Sequence, residues 1–182
     1  MLFTGKGDNG TTKTFACDQR ISKSSAVAEA LGNVDEINSL LGVVKMEGGQ
    51  TKAVLGLTYL TLLSGIQQDL FVVQAELAGA DKHMDHERVE KLGNWVNTIE
   101  KELPPITSFF VSGGTHLAAM CDFVRTVSRR AERRVVAALE NDPAKESHKD
   151  LLAYMNRLSS VLYALARLAN HRAGITEEKP HY

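Results

Sequence analysis

Apolar residues recur in steps of three and four over most of the chain, and the steps resolve into five stripes. Val27, Leu31, Val34, Leu41 and Val44, with Asn38 among them, form the first. Leu55, Tyr59, Leu62, Ile66, Leu70, Val73 and Leu77 form the second, and Val89, Leu92, Val96, Ile99 and Leu103 the third. The fourth runs through Leu117, Met120, Val124, Val127, Ala131, Val135 and Leu139, the fifth through Leu151, Met155, Leu158, Leu162, Leu165 and Ala169. Each stripe puts one apolar face on a helix. No long stretch alternates strictly, as a half-buried strand would. Gly48-Gly49, Leu103-Pro104-Pro105, Gly113-Gly114 and Asp142-Pro143 mark the joints. Five amphipathic rods with short joins predict an all-α, five-helix up-and-down bundle with a four-helix-bundle-like core. Helices fill 24–173 of a single domain, between an N-terminal loop at 1–23 and a polar tail at 174–182. The last helix is expected to fray near Gly174.

The segment Thr4-Gly5-Lys6-Gly7-Asp8-Asn9-Gly10-Thr11-Thr12 breaks this pattern, because it has no apolar side chain to give a core. Glycine admits left-handed turns and lets backbone approach a ligand closely. Successive exposed amides form a concavity for anions, and threonine hydroxyls and a lysine add donors. A polyphosphate suits such a loop. The order is not that of a Walker loop, where Lys and Ser/Thr directly follow the last glycine ahead of a helix. A loose chain end is the other reading of the same residues.

Composition adds bounds. The 182 residues, 43% hydrophobic and 24% charged, describe an ordinary globule with room for a real core. A net charge of −1 gives no global attraction to nucleic acid or to anionic membrane, so neither is expected as a partner and any basic site must be local. Cys17 and Cys121 match no metal spacing and fit a reducing compartment. With no apolar leader and no apolar run of spanning length, a cytoplasmic location is expected.

The local basic site is on the fourth helix, Arg125-Thr126-Val127-Ser128-Arg129-Arg130-Ala131-Glu132-Arg133-Arg134. Helical spacing lines up Arg125, Arg129 and Glu132, with Arg133 beside them, flanking the apolar stripe where a cleft or subunit contact would lie. Arginine binds phosphate oxygens with a rigid fork and keeps its charge when desolvated. Glu132 can orient that fork. A solvated, salt-laced helix face is the bland alternative. A nucleic-acid stripe is a third, weakened by the net charge and the absence of aromatic platforms.

Other polar residues invite a role. Asp35 and Asn38 fall on or near the first stripe, and a carboxylate there needs a cation or donors. Asn156-Arg157 interrupts the fifth helix. His83, Asp85 and His86 lie in a polar joint that reads as a surface loop and not as a metal site. Phe109-Phe110, ahead of Gly113-Gly114, either cap the bundle end or line a pocket for a large planar ligand. Thr115 is placed to N-cap the fourth helix.

Taken together, Thr4–Thr12, the block Glu29–Gly42, Gly113-Gly114, Arg125–Arg133 and Tyr154–Ser159 resemble the PduO-type ATP:cob(I)alamin adenosyltransferases in order and spacing along essentially the whole chain. The resemblance implies a homotrimer with ATP at each subunit interface. It implies transfer of the 5′-deoxyadenosyl group from ATP, with Mg²⁺, to the cobalt of cob(I)alamin, releasing triphosphate. Carried onto this sequence, Thr4, Gly5, Lys6, Gly7, Asp8, Gly10, Thr11 and Thr12 would wrap the triphosphate, with Lys23 adding a cation. Arg129, Arg130, Glu132 and Arg133 would contact the nucleotide, and Asn156 the nucleotide or its Mg²⁺. Arg125 would pair with Asp35 of a neighbouring subunit. Arg129, Arg125 and Asp35 would thus be the catalytic set.

Phe109 would press on the lower corrin face, although the pair Phe109-Phe110 leaves that assignment open by one position. Ser112 replaces the proline that commonly precedes the two glycines, and Ser128 the usual Thr or Cys. A reductase supplying Co(I) and an enzyme using adenosylcobalamin are the implied partners. Cobalt is itself the nucleophile, so no Ser–His–carboxylate set is required. A non-catalytic ATP- or cobalamin-binding bundle, acting as sensor or escort, would keep the same loop and arginines.

Overall fold

Four of the five helices begin on a residue whose side chain closes the first turn. Ser25, Thr58, Asp85 and Thr115 each lie in extended backbone and accept the amide three residues on, so the cap expected at Thr115 is present. The computed structural model describes residues 2–14, 20–140 and 142–181. Its helices are α1 (Ala26–Gly48), α2 (Tyr59–Leu77), α3 (His86–Glu100), α4 (His116–Leu139) and α5 (Lys149–Arg172), the last entered through a 3-10 turn at Lys145–His148. The all-α bundle expected from the stripes is the observed fold.

α1 packs between α2 and α4, α4 packs on α5, and α5 on α3. The ring closes where the Tyr59 hydroxyl of α2 donates to the Leu165 carbonyl of α5 at 2.9 Å. Val34, Ile37, Leu41, Leu62, Ile66, Val124, Leu158 and Leu162 are wholly buried between these helices. A buried carboxylate joins three of them: Asp69 of α2 accepts from Arg88 and, at 3.2 Å, Lys91 of α3, and at 3.1 Å from the Tyr154 hydroxyl of α5. No helix among the described residues is long and apolar enough to cross a membrane.

Several expectations are corrected. In α1 the buried face passes through Ala30, Val34, Ile37, Leu41 and Val44, leaving Val27 and Leu31 half-buried. One residue is about 100° on a helix, so Asp35, next to buried Val34, faces solvent in this chain. Leu55 precedes α2, has a φ of 52° and is exposed; it does not belong to the second stripe. Trp95 completes the buried face of α3 where Val96 is only half-buried.

Two short strands, β1 (Thr11–Lys13) and β2 (Arg20–Ser22), pair antiparallel. At three residues each they are too short to leave an alternation in the sequence. Cys17, between them, and Tyr182 lie outside the described residues. Cys121 is buried in α4; burial, and then the neighbouring Asp122, pushes its thiol up to about 12.

The expected fraying at Gly174 is also absent. Gly174 takes a φ of 69°, its amide donates to the His171 carbonyl at 3.0 Å, and the Ile175 amide to the Asn170 carbonyl at 2.9 Å. This pairing closes a helix end through a left-handed glycine. The tail then runs beside the segment after α3, where the Val111 amide donates to the Glu178 carbonyl at 2.8 Å. The His83–His86 joint is equally tied down. Asp85 caps α3, His86 Nδ1 is 3.0 Å from Asp150, and buried Glu76 accepts the Met84 amide at 2.6 Å.

Candidate active site

Residues of α4 and α5 spaced by three and four share a face and line a cavity of about 620 Å³. Ala118, Asp122, Arg125 and Arg129 come from α4, and Ser159, Tyr163, Ala166 and Asn170 from α5. Segment 106–113 and Glu177 of the tail complete the wall. Asn170 holds the two sides together at one end. Its amide donates to the Gly113 carbonyl at 2.9 Å, and its side-chain oxygen accepts the Thr115 amide at 2.9 Å. A Cβ on Gly114, at a φ of 93°, would collide with that oxygen, so glycine is required there.

The aromatic pair divides cleanly. Phe110 lies under the guanidinium of Arg167, 5.0 Å from the ring centroid. Arg167 is itself buried and donates to Glu177 at 2.9 Å and to the Pro104 carbonyl at 3.3 Å. Phe110 is thereby fixed as wall. Phe109 is 80% exposed beside the same cavity and remains free to meet a ligand.

The arginines also divide. Arg125 donates to Asp122 at 2.5 Å and faces the Tyr163 ring at 5.9 Å. Burial opposes ionisation of Asp122, but hydrogen bonds from Arg125 and Ser112 and the Arg125 charge outweigh it and hold the carboxyl below its usual range. Burial raises the Tyr163 hydroxyl above its ordinary range. Arg129 has looser partners, Ser159 at 3.4 Å and Glu132 at 3.8 Å. Arg133 donates to the Arg129 carbonyl at 3.1 Å. Arg130 turns away to α1, bonding Glu36 and, at 3.1 Å, Asn33. Asn156 is exposed on α5, one turn before Ser159, with no side-chain bond among the described residues.

The glycine loop is a separate structure. Gly5 and Gly10 take φ of 67° and 78°, and the loop folds on itself through Asp8 amide to Gly5 carbonyl at 3.2 Å and Gly10 amide to Gly7 carbonyl at 3.1 Å. The Lys23 amide donates to the Gly10 carbonyl at 2.9 Å, and the Lys23 ammonium lies over Gly7. Arg20 grips Thr11 through its hydroxyl at 2.6 Å and its carbonyl at 2.7 Å. Among the described residues no hydrogen bond or ion pair joins Thr4–Thr12 to α4 or α5. Asp35 likewise makes no bond to Arg125 within the chain.

One chain therefore brings together Arg125, Arg129, Phe109 and Phe110, and leaves the loop and Asp35 elsewhere. The sequence reading missed Asp122, Tyr163 and Arg167. Arg167 left a signal, a charge inside the apolar run Leu165-Ala166-Arg167-Leu168, which burial allows only with a partner.

Comparisons with known proteins bear on this geometry. Residues 2–169 match the family described as cobalamin adenosyltransferase. A corrinoid adenosyltransferase of Bacillus subtilis (strain 168) is 36% identical over 180 residues, covering 96% of this chain and 89% of the relative. The corrinoid adenosyltransferase PduO of Citrobacter freundii is 35% identical over 94% of this chain, which spans 50% of that longer relative. A variant PduO-type ATP:corrinoid adenosyltransferase from Lactobacillus reuteri, complexed with ATP, superposes with a TM-score of 0.87 at 28% identity, covering 99% of this chain and all of that one. A second variant of it, complexed with cobalamin and ATP, gives 0.84 at 28% identity over the full length of both.

Proposed function

The chain belongs to the cobalamin adenosyltransferase family, and from that premise we propose that it transfers the 5′-deoxyadenosyl group of ATP to the cobalt of cob(I)alamin, yielding adenosylcobalamin and triphosphate. The observation that carries the reading is the cavity between α4 and α5. It joins the Arg125 and Arg129 guanidinium groups, with Arg167 in its wall, to an exposed aromatic ring, in a chain whose sequence and fold match enzymes of this name.

The chemistry asks little acid–base work of the protein. The Co(I) electron pair attacks C5′ of the ribose, a cobalt–carbon bond forms, and the C5′–O bond breaks with its electrons leaving on the triphosphate. Stabilising that departing charge falls to the Arg129 fork and the amides of Thr4–Thr12, with Lys6 and Lys23 beside them. Mg²⁺ would neutralise phosphate charge here, and the exposed side chain of Asn156 on α5 would be the residue that holds it. Phe109, exposed at the rim, presses on the lower corrin face and excludes an axial ligand, while Phe110 supports the wall behind it.

No hydrogen bond or ion pair joins the loop to α4 within one chain among the described residues, which supports a site completed between subunits. A homotrimer supplies Thr4–Thr12 and Asp35 from one protomer and the α4 arginines from the next. Arg130, already bonded to α1, serves the nucleotide site by fixing α4 against α1.

The decisive assay is anaerobic, with ATP, Mg²⁺ and chemically reduced cobalamin, following the spectrum of cobalt–carbon bond formation. Adenosylcobalamin and triphosphate in equal amounts are expected. Bound ATP and cobalamin without product would make the protein an escort instead.

A further inference from the structure

Asp122 is a charged residue whose side chain is only 9% exposed, set on the cavity face of α4. Its one ionic partner among the described residues is Arg125, three residues on, with Nε donating at 2.5 Å. The same arginine lines the cavity, and the Tyr163 ring lies 5.9 Å from its guanidinium centre. The Ser112 hydroxyl, on the opposite wall, also favours the charged form of the same carboxylate. Asp122 therefore faces, across one cavity, both the arginine beside it and the segment that carries Phe109. Nothing else in the described chain holds Arg125 so closely.

We infer that Asp122 is a positioning residue, which aims the Arg125 guanidinium into the cavity and couples its direction to the segment 109–113. The inference rests on the adenosyltransfer reading, because that reading makes the cavity Arg125 lines the reaction site. Asp122 touches no substrate; it acts through Arg125. An arginine on a helix face has many rotamers, and fixing one of them is what turns a charge into an oriented fork.

The inference implies a pH signature. The groups facing Asp122 are Arg125 and Cys121 on its own helix, Tyr163 from α5 and Ser112 from the wall segment, with Arg129 and Arg167 around the same cavity. Arg125 and Ser112 favour the ionised carboxylate. Acid protonates it only below the ordinary aspartate range, and protonation releases Arg125.

The test uses the full-length protein with Asp122→Asn, Asp122→Glu and Ser112→Ala. Asp122→Asn is expected to lower kcat by roughly 10- to 100-fold, the scale of a small misplacement, with the KM for ATP changed less. Asp122→Glu, which keeps the charge, recovers most of that loss. Ser112→Ala moves the acid limb of the rate profile to higher pH, and Asp122→Asn removes that limb. In an Arg125→Ala background Asp122→Asn costs nothing further.

A second readout needs no turnover. The Arg125 Nε–H resonance, assigned by its absence in Arg125→Lys, is protected at neutral pH in the wild-type protein and lost in Asp122→Asn. Wild-type kcat in Asp122→Asn, equal losses in the Asn and Glu variants, or an unmoved Arg125 resonance would each overturn the inference. If Asp122→Asn fails to fold by circular dichroism, Asp122→Glu and Ser112→Ala decide the matter: a Glu variant as slow as Arg125→Ala, or an acid limb that Ser112→Ala leaves in place, overturns the pairing. A wild-type protein that makes no adenosylcobalamin yet shows the Asp122-dependent resonance would sink the function and leave the pairing standing.

Discussion

Arg129 and Arg130 are neighbours in sequence and opposites in commitment. Arg130 is bound to Asn33 and Glu36 across the α1–α4 contact, whereas Arg129 has only a 3.4 Å bond and a 3.8 Å ion pair and is half-exposed. The free fork is the one suited to a ligand. Arg129→Lys keeps the charge and loses the planar fork. It is expected to slow adenosyl transfer at least tenfold while circular dichroism stays unchanged. The same change at Arg130 is expected to lower thermal stability by no more than about 1 kcal/mol, since exposed ion pairs contribute little. The arginine row was legible from residue types and spacing alone. The bond from Arg125 to Asp122 within its own helix was not, because spacing allows a pair three residues apart without requiring it. Asp122 sits in a stretch without a motif, Met120-Cys121-Asp122-Phe123, and only the fold shows it buried.

Helices were legible because their signals are long and repeated: a stripe of several turns, a capping residue before it, a glycine or proline after it. The β1–β2 hairpin and the ordered tail have neither length nor period. The tail's order comes from Glu177 and Glu178 meeting Arg167 and Val111, the second of these a contact between residues far apart in sequence. The polar tie at Asp69 is similar, joining α2, α3 and α5 through one carboxylate. Asp69→Ala leaves the buried Tyr154 hydroxyl without its acceptor, while the half-exposed Arg88 and Lys91 turn to water. The expected cost is therefore about 1–3 kcal/mol, the range for one stranded donor, and not the larger loss of a fully buried charge pair. Urea unfolding with an unchanged m-value measures it.

Among the described residues, three carboxyls are held below their ordinary values. A backbone bond from Arg88 is the largest influence on Asp85, and a side-chain bond from Arg172 the largest on Glu102. At Asp122 the cost of burial is outweighed by Arg125 and Ser112. Each folded-state value lies below its unfolded one, so the unfolded chain takes up protons first as pH falls. Their stabilisation is complete above the ordinary carboxyl range, near pH 4, and is lost as pH falls through the lowered values. Melting temperature followed from pH 7 downward is expected to stay flat until about pH 4–5 and then fall. Replacing Asp122 with Asn should shallow that decline.

The lack of any hydrogen bond between the glycine loop and the α4 guanidinium row within a single polypeptide, among the described residues, has a genetic consequence if the proposed shared site holds. On the proposed site shared between subunits, lesions in the two places would belong to different complementation classes. A protein damaged at Asp8 and one damaged at Arg129, each inactive alone, should regain turnover when co-expressed. For a ring of three, random mixing restores roughly a quarter of the sites, because only junctions that draw a sound loop from one copy and a sound row from the next are whole. Separately purified and freshly mixed subunits should recover activity only as fast as they exchange. A mixture that never recovers would mean that each chain builds its catalytic centre unaided.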